Sequence, residues 1–146
     1  MNPIFRTINF TLGAILRSPL HRLISRTLML ITVTGRRSGR PYTVPVSYQL
    51  LDRDVRIVSE RRDRWWRNLR GGAQVTLYLQ GHEVHGQANV IERANDVLPL
   101  LAEHVQRSPN IARMLNIQRN DQGQFKLPDL HRAAERSVVV HIRLMS

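Results

Sequence analysis

A small, mainly antiparallel β-barrel with peripheral helices is the fold class predicted by three features of this 146-residue chain. Between Leu28 and Ile91, apolar residues recur at alternate positions in short runs separated by turn-forming residues, the pattern of consecutive hairpins. One short helical stretch, Arg64 to Arg70, interrupts the series. After further helical segments, a β-branched run, Val138 to Leu144, remains to close the sheet. The class is α+β, mainly β. No repeat or linker divides the chain, so residues 1–146 are expected to form a single domain.

The elements follow in order. Pro3 to Arg17 has helical spacing, with Ile4, Phe5, Ile8, Leu12, Ile15 and Leu16 on one face. Ser18-Pro19 ends it and starts a second short helix through Ser25. Leu28 to Thr34 is apolar and β-branched, a mostly buried strand. Gly35 opens a turn in which Arg36, Arg37, Ser38, Gly39 and Arg40 gather three guanidinium groups, a hydroxyl and a permissive glycine. From Tyr42 the chain is extended, with Val44, Val46 and Tyr48 on the face of Tyr42 and Thr43, Pro45, Ser47 and Gln49 opposite. Pro45 has no N–H for a ladder and belongs at an edge or bulge.

Asp52-Arg53-Asp54 turns into a strand, Val55 to Ser59, which pairs with the preceding one. Asp63 is expected to cap the helix Arg64 to Arg70, which Gly71-Gly72 ends. Val75 to Gln80 and Glu83 to Ile91 form a hairpin across Gly81-His82. Asn95 or Asp96 starts a helix carrying Val97, Leu100, Leu101, His104 and Val105, and Ser108-Pro109 starts another. Asn120 to Lys126 is a polar loop before a helical turn that reaches about Arg136.

Composition narrows the partners. The net charge is +11, Lys126 is the only lysine, and no Asp or Glu precedes Asp52. An arginine-rich surface matches planar anions: a phosphorylated cofactor, an acidic lipid or nucleic acid. Cysteine is absent, which excludes disulfides, thiol catalysis and Cys–zinc sites. His82 and His85 face opposite sides, so no metal site is expected, and His104 reads as a core residue. No dinucleotide or Walker-type glycine loop is present. Nucleic-acid binding is not expected, because aromatic residues are not interleaved with the arginines outside Trp65-Trp66.

The basic amphipathic start has two readings: it binds an anionic membrane surface, or it covers one mouth of the barrel. Arg6, Arg17, Arg22 and Arg26 interrupt it too often for a membrane-spanning helix, and no cleavage pattern follows. The expected location is cytoplasmic, with the inner face of the plasma membrane as the peripheral alternative.

Successive N–H groups of the turn Gly35–Arg40 can form an anion nest, and its guanidinium groups bind phosphate or carboxylate bidentately. An exposed strand edge beside such a turn can seat a flat phosphorylated cofactor. Further along, Trp65 and Trp66 point about 100° apart on a helix, so one is expected inward and one beside a pocket.

The string Thr34-Gly35-Arg36-Arg37-Ser38-Gly39-Arg40-Pro41-Tyr42-Thr43-Val44-Pro45-Val46, followed by Trp66-Arg67-Asn68-Leu69 before a strand, resembles the deazaflavin (F420)-dependent nitroreductase and quinone reductase family. The resemblance implies a split β-barrel of the FMN-binding type and an oxidoreductase that exchanges hydride between coenzyme F420 and a planar acceptor, a quinone or nitroaromatic. It implies that Arg36, Arg37, Ser38 and Gly39, with Arg40 in the same turn, hold the phosphate and oligoglutamate tail. Val44, Pro45 and Val46 would lie along the ring, and Trp66 and Asn68 would shape the pocket wall. Ser59 would sit near the ring or substrate, with Ser59 and Tyr48 as the candidates to assist catalysis. The alternatives are FMN in place of F420, or a non-catalytic cofactor or lipid carrier of the same fold. Two departures stand out: Glu60 to Trp65 is short and charged where the family carries a longer Gly- and Pro-containing loop, and Ala94 to Arg136 has no tyrosine.

Overall fold

In a computed structural model, residues 28–145 are described; the two predicted N-terminal helices, and with them the choice between membrane surface and barrel mouth, lie outside the described residues. Seven strands form one sheet: β1 Leu28–Thr34, β2 Pro41–Ser47, β3 Gln49–Leu51, β4 Asp54–Glu60, β5 Ala73–Leu79, β6 His82–Ile91 and β7 Ser137–Leu144. Their order is β2-β1-β5-β6-β7-β4-β3, and every pairing is antiparallel.

The sheet's two outermost strands, β2 and β3, are consecutive in sequence and separated by Tyr48 alone. One extended segment therefore supplies both margins, and the sheet has to curl for this to happen. The predicted continuous strand from Tyr42 is thus broken. Its first part pairs with β1, from Leu28↔Ser47 to Thr34↔Pro41, and its last three residues pair with β4. Pro45 falls on a marginal strand, where a missing N–H is tolerated.

The concave face buries Met29, Ile31 and Val33 of β1, Val55 and Ile57 of β4, Val75, Leu77 and Leu79 of β5, and Val138, Val140 and Ile142 of β7. This is the period-2 alternation read in the sequence. Each fully buried aliphatic side chain contributes about 1.5–3 kcal/mol. A second layer packs on the other face. Helices α1 Ala94–Arg107, α2 Pro109–Met114 and α3 Leu127–Arg136 bury Val97, Leu101, Val105, Leu130 and Ala133 against Val139 of β7, with Val58 of β4 and Ile91 of β6 alongside. Strand β7 is buried on both faces, which explains its run of three valines.

Residues Trp65–Leu69 form a 3₁₀ helix. The expected Asp63 cap is absent: Arg64 takes the N-cap position with no side-chain bond, and the Asp63 carboxylate turns to Ser59 instead, 3.4 Å from its hydroxyl. No described helix is long and apolar enough to cross a membrane.

Candidate functional site

The antiparallel register brings one end of the barrel together from four places. Here lie the β1–β2 turn, the end of β4 with Ser59, the 3₁₀ helix leading into β5, and the start of β7. Tyr48 lies at the other end, because Ser47 pairs with Leu28, some 20 Å along β2 from the turn.

The turn is tightly built. Gly35 N–H donates to the Arg40 carbonyl at 2.9 Å, Gly39 N–H to the Gly35 carbonyl at 2.9 Å, and Arg40 N–H to Ser38 Oγ at 3.2 Å. Gly39 sits at φ +66°, where a side chain is strained. A Cβ on Gly35 would lie 2.7 Å from Ser38 Oγ, so a side chain there would displace the hydroxyl that accepts the Arg40 N–H. The expected nest is narrower than the sequence implies. The amides of Gly35, Arg36, Gly39 and Arg40 are bonded internally, which leaves those of Arg37 and Ser38 without a partner among the described residues.

Arg36, Arg37, Ser38, Gly39 and Arg40 are all exposed. Among the described residues, none of the three guanidinium groups meets a carboxylate; Arg36 alone donates a bond, to the Arg67 carbonyl at 3.2 Å. Several arginines elsewhere are occupied. Arg70 forms a two-pronged pair with Glu92, and Arg61 reaches three backbone carbonyls, those of Glu92, Glu135 and Ser137. The three guanidinium groups of the turn thus have no carboxylate partner among the described residues.

Asn68 joins the two sequence motifs. Its Oδ1 accepts the Arg36 N–H at 2.9 Å, and its Nδ2 donates to the Trp65 carbonyl at 3.0 Å and to the Tyr42 hydroxyl at 2.5 Å. It is a strut between the turn, the 3₁₀ helix and β2. Tyr42, which the sequence reading did not select, is held by it. The signal was available: Tyr42 is the first hydroxyl-bearing side chain after the basic turn. Burial raises its pKa above the ordinary tyrosine value, and the Asn68 bond offsets this in part.

Both tryptophans are buried in the barrel core, not one inward and one exposed. Trp66 donates Nε1–H to the Glu60 carbonyl at 3.1 Å, and Arg67 and Arg70 lie over its ring at 5.6 and 5.0 Å. Trp65 donates to Ser59 Oγ at 3.0 Å. Ser59 is thus buried between Trp65 and Asp63, whose carboxyl is pushed up by partial burial and by neighbouring Glu60. Tyr48 is buried too, its hydroxyl 3.4 Å from Gln80 Nε2, and burial raises its pKa. Val44 is buried in the core, Val46 and Pro45 are partly exposed, and among the described residues the outer margin of β2 carries no neighbouring strand.

The second buried polar group is the Arg56 cluster under α1. Arg56 donates to His104 Nδ1 at 3.2 Å and to Gln49 Oε1 at 2.8 Å, while Gln49 Nε2 reaches the His104 carbonyl and Ser108 Oγ, each at 2.6 Å. His104 is core, as its helical face predicts. Burial and the Arg56 charge push it down to about 4. Among the described residues, no group of three metal-ligating side chains forms.

Known proteins place this geometry. Solved structures similar in fold include an F420-H2 dependent reductase (17% identity over 82% of this chain and 95% of the other, TM-score 0.54). The general stress FMN/FAD binding protein of Xanthomonas citri is similar as well (11% identity over 82% and 76%, TM-score 0.52). At such identities these likenesses establish the fold, the split barrel of F420- and FMN-binding proteins. No protein of curated function matches the sequence. The model of the F420H2-dependent quinone reductase family matches residues 16–120, a stretch that includes the turn, the margin of β2 and the Asn68 strut. The chain therefore belongs to the F420H2-dependent quinone reductase family and is an F420-dependent oxidoreductase.

Proposed function

We propose that the protein is a cytoplasmic, single-domain reductase that passes hydride from reduced F420 to a planar acceptor, a quinone or a nitroaromatic. The observation that carries this reading is the row of three guanidinium groups in Gly35–Arg40, without carboxylate partners among the described residues, beside the margin of β2, on which no described strand pairs. These residues fit the cofactor: a phosphate followed by glutamates needs several cations in a row, and a flat ring needs an open backbone edge.

In this reading Arg36, Arg37 and Arg40, with the Ser38 hydroxyl and the amides of Arg37 and Ser38, bind the tail, and Gly39 lets it approach closely. The backbone of Val44, Pro45 and Val46 lines the ring. Trp66 and Asn68 form the rigid floor under the turn. When bound, the deazaflavin supplies hydride from its C5, and the protein orients it and excludes water. The proton that completes reduction of the acceptor comes from solvent or through Ser59, whose hydroxyl lies 3.4 Å from the Asp63 carboxyl at this end. Tyr48, at the opposite end, closes the barrel and takes no step.

FMN shares the phosphate and the tricyclic ring, and the fold of the Xanthomonas citri protein suits it. Titration with F420 and with FMN, following quenching of Trp65 and Trp66, separates the two. The proposal expects saturable quenching by F420 that weakens with salt, and weaker binding of FMN. Tighter binding of FMN would overturn it.

A further inference from the structure

Asn68 leaves no freedom in how Tyr42 bonds. The Trp65 carbonyl can only accept and the Arg36 N–H can only donate, so Asn68 must present Nδ2 to the first and Oδ1 to the second. The same Nδ2 faces the Tyr42 hydroxyl, so the tyrosine oxygen is the acceptor in that contact. The phenolic hydrogen has to point elsewhere, and no described side chain or carbonyl takes it. Tyr42 also keeps that proton, since burial lifts its pKa beyond the ordinary tyrosine range.

Resting on the assignment of F420 above, we infer that the Tyr42 O–H is a hydrogen-bond donor to the phosphate of the bound cofactor, aimed at it by Asn68. The geometry supports a phosphate over the ring. Tyr42 Oη and Arg36 N contact the two ends of one carboxamide, which puts them about 8 Å apart at most. The amides of Arg37 and Ser38 follow directly. Arg36 N–H is itself taken by Asn68, but the bound sets the Tyr42 hydroxyl beside the turn: a phosphate, with oxygens about 2.5 Å apart that accept at about 2.8 Å, spans about 8 Å between donors, so one that bonds the hydroxyl reaches the turn. The Tyr42 ring packs against the turn, 3.8 Å from where a Gly35 Cβ would stand, so hydroxyl and turn move together. Asn68 is the positioning residue and Tyr42 the binding one.

The test uses two probes, F420 and the same deazaflavin carrying its ribityl chain but no phosphate, titrated against the full-length protein and Tyr42→Phe. The variant keeps the ring and its packing, and its melting temperature checks the fold. A hydrogen bond to a charged group is lost only for the phosphate-bearing probe, so F420 affinity should fall about tenfold or more while the phosphate-free probe binds as before. Equal weakening of both probes would mean that Tyr42 supports the pocket structurally, and unchanged affinity for both would mean that it binds nothing; either result overturns the inference while leaving F420 as the cofactor. Failure of the unmodified protein to bind F420 would remove both.

Discussion

Arg56 and Arg37 carry the same guanidinium group in opposite surroundings. Arg56 is 3% exposed, and its donors meet Gln49 and His104, with Glu103 at 3.7 Å. Arg37 is exposed and makes no side-chain bond among the described residues. The first joins β4 to α1 and holds the helical layer on the barrel. The second is left with donors for a ligand. A net charge of +11 is therefore not one property: part of it is internal scaffolding, and part is exposed and free of carboxylate partners, the part proposed above to hold the cofactor's tail. What separates the two is which donors the fold itself satisfies.

Four measurements sharpen or break this contrast. Arg56→Ala should have the largest effect, about 3–4 kcal/mol less stability in urea, because it leaves Gln49 and His104 with buried unmet groups. The surviving folded fraction should bind F420 with unchanged affinity; a loss of affinity would show that the cluster serves the site. Acid should act through the same cluster. His104 is held below its ordinary value of 6.5, at about 4, so the unfolded chain binds more protons in that interval. Its contribution is then complete above pH 6.5 and lost as pH falls through the window, on the order of 2–3 kcal/mol. His104→Gln should flatten this limb of the stability–pH curve; an unchanged limb would point to other groups.

Arg37→Ala should leave stability within about 0.5 kcal/mol but weaken F420 binding about tenfold and reduce its salt dependence. Arg62→Ala should do least. Its pair with Glu60 is solvent-exposed, so neither stability nor binding should change measurably. A large effect there would blur the distinction between paired and unpaired arginines.

The strands were legible because alternation is local: Met29, Ile31 and Val33, or Val138, Val140 and Ile142, declare a buried face without reference to anything distant. The basic turn was legible for the same reason, since its glycines and arginines are contiguous. The closing strand Val138 to Leu144 was legible too, but the division of one extended segment between the two margins of the sheet was not. The break at Tyr48 depends on β4 competing with β1 for one extended segment, and no local residue type records that competition. Arg56 reads as an outward charge because α1, which buries it, lies more than forty residues later. Asp63 has the composition of a helix cap, but a short 3₁₀ turn and the nearby Ser59 hydroxyl took its carboxylate. The tryptophan pair was read as divided between core and pocket, whereas Ser59 and the Glu60 carbonyl supply partners that let both indoles be buried.

The most direct test of the account is a crystal structure of the protein with F420 bound. The account predicts the cofactor's phosphate against the amides of Arg37 and Ser38, with at least one of Arg36, Arg37 and Arg40 in contact and the ring along the margin of β2. A bound F420 whose phosphate and glutamates lie elsewhere, with Gly35–Arg40 facing only solvent, would contradict it.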